Sequence, residues 1–357
     1  MSGIFGILGL SDNDRSYLNT IGQEVVYTAS QTLLQQYNAD LMSAMSIFVE
    51  GQTTSFKERY KLPGSGRLQR RGGQAQSAAV KAYGSWDVAY PLEDFGAQLA
   101  DSDIAMAYMT MQEYNRHLDT VMIQDMNTVR FEMLKAIFNS TAATFVDPIN
   151  GSLTIERLAN NDSVVYPPAL GSETEAQENH YLESNYAATA ISDTNNPYIT
   201  IREELEEHFG TNTGGDNIVV FINNAETPET EDLSDFDAVP DRFVSVGSNT
   251  DVPNGLPNVP GKVIGRTNGV WVVEWRWMPA NYMFGLHLEA PKPLKMRVDP
   301  ADTGLGTGLQ LVARDMQYPI ESAHYRHRFG FGCANRLNGV VLELGTGGTY
   351  TVPTAYA

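Results

Sequence analysis

The sequence predicts an α+β fold organised around one very long helix, and three observations carry that expectation. Between Asp101 and Ser140 no glycine or proline interrupts the chain, and Ile104, Tyr108, Met111, Leu118, Met122, Met126, Val129, Met133 and Ile137 recur at helical spacing. Val270-Trp-Val-Val-Glu-Trp-Arg-Trp277 alternates as a strand does, with Trp271, Val273, Trp275 and Trp277 on one face. Asn150-Gly151, inside Thr144–Ile155, is the dipeptide that closes tight β-hairpins.

In chain order, Leu18, Ile21, Val25, Ala29, Leu33, Tyr37, Leu41 and Met45 fall on a helical stripe, so residues 14–48 read as one or two amphipathic helices. Gly51–Ser85 holds Lys57, Arg59, Lys61, Arg67, Arg70, Arg71 and Lys81 against the single acid Glu58, with Gly64, Gly66, Gly72 and Gly73 at its middle. Two extended arms through a glycine-rich basic tip make a long hairpin. A hairpin this long and this polar cannot bury itself on its own subunit, so it is expected either as a flexible loop or lying on a neighbour. Trp86–Leu92 then reads as a strand. The helix follows, expected to run unbroken from about 101 to 141 with Asp101, Ser102 and Asp103 at its N-terminus. At ~1.5 Å per residue that is a rod of roughly 60 Å. Asn115 is the one polar residue on its stripe, which is expected to pack on a sheet that includes Trp86–Leu92.

The segment Glu173–Asp241 carries seventeen acids and Arg202 alone as a base, so most of the chain's negative charge lies there. Within it, Tyr198–Phe209 reads as a short helix, Asn217–Asn223 as a buried strand and Asn224–Asp241 as an acidic loop. Proline and glycine make Val252–Gly265 a long loop. After the tryptophan-rich strand, Met278–Leu286 reads as a turn and short helix, with further strands near 294–298, 309–315 and 321–331. Arg328–Leu344 reads as two short strands about an Asn-Gly turn. There are no internal repeats.

Composition narrows the function classes. The 357 residues carry a formal charge of −19, with 42% hydrophobic and 19% charged residues. That is a folded composition and one hostile to nonspecific nucleic-acid binding over the whole surface. Cys333 is the single cysteine, so neither an intrachain disulfide nor a cysteine-built zinc site is expected. The apolar start lacks a basic n-region, Ser2 stands where myristoylation needs glycine, and no apolar run approaches a membrane span. A soluble, cytoplasmically made protein is the expectation.

Catalytic signatures are weak throughout. His324 and His327, three apart on a strand, point to opposite faces, which is poor metal geometry. Gly304-Leu-Gly-Thr-Gly308 lacks the lysine and strand–helix setting of a phosphate loop and reads as a turn. Asp232, Asp235 and Asp237 do not have EF-hand spacing, no Gly-x-Ser-x-Gly elbow is present, and Cys333 sits in an apolar strand as inert core. No catalytic, cofactor or metal residues are expected, and the chain is read as no enzyme.

The order of parts then matters more than any motif: N-terminal arm, long hairpin, strand, very long helix, α+β domain, β-rich return. This resembles the major capsid protein of tailed bacteriophages, the Hong Kong 97-like fold. Arg328-Phe-Gly-Phe-Gly-Cys-Ala-Asn-Arg-Leu-Asn-Gly-Val-Val-Leu is similar to that family's closing strand pair, and Trp277-Met-Pro-Ala to the turn before its final strands. The resemblance implies an arm over 1–50, an extended hairpin over 51–85, and a peripheral domain with the spine helix over 86–143. It further implies an axial domain over 144–265 and return strands over 266–357.

The same resemblance implies an icosahedral shell around double-stranded DNA, built from hexamers and pentamers in the host cytoplasm. A separate scaffolding protein and a portal would be partners, a decoration protein a further one, and packaged DNA would be touched only nonspecifically. The long helical N-terminal extension that some members use as a built-in scaffold is not expected here, and the resemblance then implies a separate scaffold or an already trimmed chain. Lys57, Lys61 and Lys81 stand in the hairpin, but their context does not support the lysine–asparagine cross-link of some members. Lys57, Arg59, Lys61, Arg67, Arg70, Arg71 and Lys81 are the candidate intersubunit contacts. The alternatives are a cellular compartment shell of the same fold, an acidic carboxylate-dependent hydrolase, and a tail or portal component.

Overall fold

The computed structural model describes residues 23–61, 85–102, 108–166, 176–209, 217–238, 260–317 and 320–357. In chain order the elements are α1 (Gln23–Met45), β1 (Val49–Thr53), β2 (Lys57–Lys61), β3 (Ser85–Ala89), β4 (Glu93–Ser102) and α2 (Met111–Phe138). Next come β5 (Ala143–Asp147), β6 (Gly151–Ile155), β7 (Asn160–Tyr166), β8 (Ala176–Asn179), β9 (Tyr181–Glu183), α3 (Pro197–Phe209), β10 (Ile218–Ile222), α4 (Thr227–Glu231) and β11 (Asp237–Ala238). The chain closes with β12 (Lys262–Thr267), β13 (Val270–Glu274), β14 (Tyr282–His287), β15 (Leu294–Arg297), β16 (Gln310–Gln317), β17 (Ile320–Cys333) and β18 (Val340–Glu343). Two compact units divide these elements.

The first unit draws on Met1–Met42, Leu92–Arg130 and Val298–Phe329. In it β17 is the middle strand of an antiparallel trio, with Phe329 opposite Glu93 of β4 and Arg326 opposite Gln310 of β16. Val26 and Leu34 of α1, Tyr114, Leu118 and Val121 of α2, and Leu311, Ala323 and Tyr325 of the sheet form its core.

The long helix is shorter than the sequence suggests. Asp101 and Ser102 belong to β4, pairing with Glu321 and Ile320, and residues 103–107 lie outside the described residues. Phe95, Ala97 and Leu99 alternate along β4, a two-residue period that the absence of glycine and proline after Asp101 could not reveal. The helix is opened by Thr110 and Glu113: the Glu113 carboxylate accepts from Thr110 N (2.9 Å), and Thr110 Oγ1 accepts from Glu113 N (3.3 Å). Its packing also differs from the expected sheet with Trp86–Leu92. Asn115 and Tyr108 are exposed, and the first half of α2 packs on β4, β16 and β17.

The stripe on α1 is offset by one residue from the expected one. Val25 and Leu33 are exposed (60% and 44%) with Ala29, whereas Val26, Ser30 and Leu34 are buried. A polar residue fits the buried row because the Ser30 hydroxyl bonds Val26 O (2.8 Å) and lies 3.0 Å from the Tyr114 hydroxyl. Leu18 and Ile21 lie outside the described residues.

The second unit, Ser43–Pro91, Phe131–Arg297 and Gly330–Ala357, holds a seven-stranded sheet in the order β11-β12-β13-β10-β14-β18-β9. Every residue of β10 is fully buried, because β13 runs parallel on one side and β14 antiparallel on the other. Tyr198, Ile201 and Leu205 of α3 cover the face carrying Ile218, Val220 and Ile222. Phe48 covers the opposite face, with its ring 5.0 Å from Phe221 and 5.6 Å from Trp275, and Phe138 at the end of α2 lies 6.5 Å from Phe284.

Two readings of the return segment are overturned here. Met278–Leu286 is a turn followed by β14 rather than a short helix: its residues are buried between β10 and β18, where only a strand can supply two ladders of hydrogen bonds. Arg328–Leu344 is not a strand pair about a turn. β17 ends against β15, while β18 joins β14 and β9, so the two strands enter different sheets. The crossing between them is pinned from inside. Arg336 donates to Arg157 O (2.6 Å), Leu158 O (3.3 Å) and the Asp162 carboxylate, and Asn338 Nδ2 donates to His287 O (3.0 Å) and Pro291 O (2.9 Å). The Asn150-Gly151 signal holds: β5 and β6 form the expected hairpin, with Gly151 at φ 76°. The supposed acidic loop after Asn223 contains α4, and its Glu226 is fully buried, accepting from Asn281 N at 2.6 Å.

Gly285 sits where α3 crosses β14, and a Cβ there would lie 2.2 Å from Ile201 Cγ2. Ile201 is fully buried and β-branched, so it cannot swing away. Gly285→Ala is expected to lower stability by about 1–3 kcal/mol, the usual cost of overpacking. Denaturant unfolding followed by tryptophan fluorescence checks this, and an unchanged midpoint would refute the close approach.

Candidate functional site

The candidate site is the extended hairpin, and it is built from its root upward. β2 and β3 pair antiparallel with Arg59 opposite Asp87 and Tyr60 opposite Trp86. Strand alternation sorts the side chains into two faces.

On the outer face Lys57 and Arg59 converge on Asp87. Arg59 donates from Nε to Oδ1 (2.6 Å) and from Nη2 to Oδ2 (2.9 Å), and Lys57 Nζ lies 2.9 Å from Oδ2. These hydrogen bonds hold the Asp87 carboxyl well below the usual carboxylate range.

The inner face is a carboxylate cage. Glu58 accepts from the Tyr60 hydroxyl (2.7 Å), the Tyr90 hydroxyl (3.0 Å), Thr53 Oγ1 (2.9 Å) and Lys295 Nζ (2.9 Å). Burial by itself pushes the Glu58 carboxyl up, but these four donors together hold it down to about 2. Burial pushes the phenols of Tyr60 and Tyr90 up, which keeps them protonated as donors. Beside the cage an aromatic ladder leads inward: Tyr60 stacks on Trp86 (5.7 Å), Trp86 meets Tyr166 (5.4 Å), and the Arg336 guanidinium lies 5.8 Å from the Tyr166 ring centre.

Of the seven basic residues expected at this site, Lys57 and Arg59 are at the root and are paired within their own hairpin. Lys61 closes the β2–β3 ladder opposite Ser85. Arg67, Arg70, Arg71 and Lys81 lie outside the described residues. Sequence reading missed Glu58 as an organising group, together with Asp87, Tyr90 and Lys295. The Lys-Glu-Arg-Tyr alternation was the available signal for two faces; Lys295, 237 residues from Glu58, had none.

Other titratable clusters lie elsewhere. His327 Nδ1 lies 2.7 Å from Asp125 Oδ1, and the Tyr37 hydroxyl donates to Asp125 Oδ2 at 2.9 Å, all within the first unit. Glu204 on α3 is raised to about 7 by burial and by the charges of Glu207 and Glu178. Cys333 is buried and its thiol is pushed up to about 12 by that burial. Among the described residues no group of three or more His, Cys, Asp or Glu could hold a metal, and no helix is long and apolar enough to cross a membrane.

Neither a protein-family model nor a curated protein matches the chain. Similar folds occur among solved structures. A chain of Mycobacterium phage Patience is 18% identical with a TM-score of 0.70, covering 99% of this chain and 98% of that one. The asymmetric unit of the bacteriophage PhiM1 mature capsid is 12% identical (TM-score 0.49, 82% and 83% covered), and the capsid of Myoviridae phage XM1 10% identical (0.46, 83% and 89%). Of these three, only the Patience chain agrees with this one closely and from end to end. The chain has the α+β, Hong Kong 97-like fold that its order of parts suggests.

Proposed function

We propose that the chain is the major capsid protein of a tailed, double-stranded DNA bacteriophage, a structural protein that assembles with copies of itself into an icosahedral shell. The observation that carries this reading is the fold shared over 99% of the chain with a phage chain at a TM-score of 0.70. The hairpin fits it. Its root is fixed by the Glu58 cage and the aromatic ladder, and four of its seven bases, Arg67, Arg70, Arg71 and Lys81, lie between the root strands β2 and β3 in the sequence. The β5–β6 hairpin adds exposed apolar surface at Val146 (72%) and Ile149 (91%). The division into arm (1–50), extended hairpin (51–85), peripheral domain with spine helix (86–143), axial domain (144–265) and return strands (266–357) belongs to the same proposal. So do hexamers and pentamers as assembly units, with a separate scaffolding protein, a portal and a decoration protein as partners. Residues 173–241, with sixteen net negative charges, are one source of partners for the basic hairpin of a neighbour. Packaged DNA meets a strongly acidic chain and is contacted only nonspecifically.

Negative-stain images of the purified protein test the reading: closed shells support it, and monodisperse single chains under all salt conditions overturn it.

The hairpin makes a sharper test. Reversing Arg67, Arg70 and Arg71 to Glu is expected to leave circular dichroism unchanged and to abolish or strongly weaken shell formation, since each single ion pair is worth only ~0–1 kcal/mol but is repeated at every subunit. Normal particles from the triple variant at both low and high salt would remove the hairpin from the assembly contact.

The Glu58 cage gives a pH dependence. Its folded pKa is depressed to about 2 from an ordinary carboxylate value, so the stabilisation is complete above roughly pH 5 and is lost as pH falls toward 2. The melting-temperature difference between the wild type and Glu58→Gln should therefore be constant above pH ~5 and shrink as pH falls toward ~2. A difference that stays constant down to that pH would show that the cage does not hold an ionised carboxylate.

A further inference from the structure

A cavity of about 340 Å³ in the second unit is lined by Ser140, Asn160, Tyr181, Glu183, Thr349 and Tyr350, among others. Its polar groups are unbalanced. Asn160 Nδ2 donates to Ser140 O (2.7 Å), but its Oδ1 is buried without a hydrogen-bond partner. Glu183 Oε1 accepts from Gly347 N (2.5 Å), while Oε2 is likewise buried and unpartnered among the described residues. Both tyrosine hydroxyls are used elsewhere: Tyr181 donates to Ile137 O (2.9 Å) and Tyr350 to Phe138 O (2.6 Å), and the two rings, 5.1 Å apart, line the same cavity as the carboxylate.

Charge is unbalanced in the same direction. Glu183 is the partner of Glu343 in the parallel β9–β18 register, which sets two carboxylates on neighbouring strands. Glu343 is bonded by Thr351 N and Oγ1, both at 2.6 Å. None of the lining residues is basic, and among the described residues no lysine or arginine lies within ion-pair distance of either glutamate. A carboxylate, an amide oxygen and two neutral aromatic rings around one cavity are the electron-rich surroundings that hold organic cations.

We propose that this cavity binds the head of an alkylammonium or guanidinium group, with Glu183 as its counter-ion, Asn160 as a second acceptor, and Tyr181 and Tyr350 as cation–π walls. The group is either a free small amine or a lysine or arginine side chain of a second copy. The site stands whether or not the chain forms shells.

The test is thermal unfolding of the dispersed full-length chain with n-butylammonium chloride, against sodium chloride at matched ionic strength. The wild-type midpoint should rise with the logarithm of butylammonium concentration. Glu183→Gln keeps an acceptor for Gly347 N–H but removes the charge, and should weaken half-saturation roughly tenfold or more. Thr349→Lys, which places a cation at the exposed rim, should raise the midpoint and abolish the butylammonium response. Equal responses in wild type and Glu183→Gln would overturn the proposal, as would a Glu183-dependent shift with calcium chloride but none with butylammonium. In assembled particles, destabilisation by butylammonium identifies a neighbour's side chain as the natural occupant, and stabilisation identifies a free amine.

Discussion

A guanidinium sealed from water is the constraint on which the second unit depends. Arg336 is fully buried, and a buried charge is tolerated only where hydrogen bonds and an opposite charge replace the lost water. Arg157 O, Leu158 O and the Asp162 carboxylate supply that replacement. The requirement fixes the segment between β6 and β7 against the crossing from β17 to β18, two stretches about 180 residues apart in the chain. The cation also lies beside Tyr166, the inner end of the ladder through Trp86 to Tyr60, so the hairpin root inherits its position from the same group. Placing Arg336 on the surface would leave the carbonyls of Arg157 and Leu158 without those donors and the ladder without its last member.

The hairpin root shows how a polar element can be held firmly without an apolar face. Its inner side half-buries a carboxylate and satisfies it four times over; its outer side spends Lys57 and Arg59 on Asp87. Neither arrangement contributes much through exposed ion pairing alone. The geometry comes instead from directional hydrogen bonds to a group that cannot turn away without losing several of them at once.

What the sequence made legible was periodic or punctuated. The Asn-Gly hairpin, the helix Pro197–Phe209 and the apolar strand Ile218–Ile222 needed only local pattern, and all three are present. The long helix was legible through Phe138 but not at its start, because the lack of glycine or proline between Asp101 and Met111 says nothing against a strand, and the capping pair Thr110–Glu113 was the real boundary signal. On α1 the buried row was misjudged because Ser30 is made apolar-compatible by partners the sequence does not show. The cage at Glu58 was illegible for a different reason. It joins β1, β2, β15 and Tyr90, and no spacing rule links Thr53 or Lys295 to the hairpin. β14 and the β17–β18 crossing were misread because their burial is decided by neighbouring strands rather than by their own composition.

Cys333, at the end of β17, is the chain's only thiol and is 1% exposed. Burial pushes its pKa to about 12, so almost no thiolate forms at neutral pH while the strand stays closed. Alkylation of the intact protein is therefore a clock for the opening of the sheet formed by β1, β15 and the end of β17, with no second cysteine to blur the reading. In any assembled or dispersed form of the chain, the rate at which a maleimide reacts measures how often that sheet breathes, without a label having to be engineered.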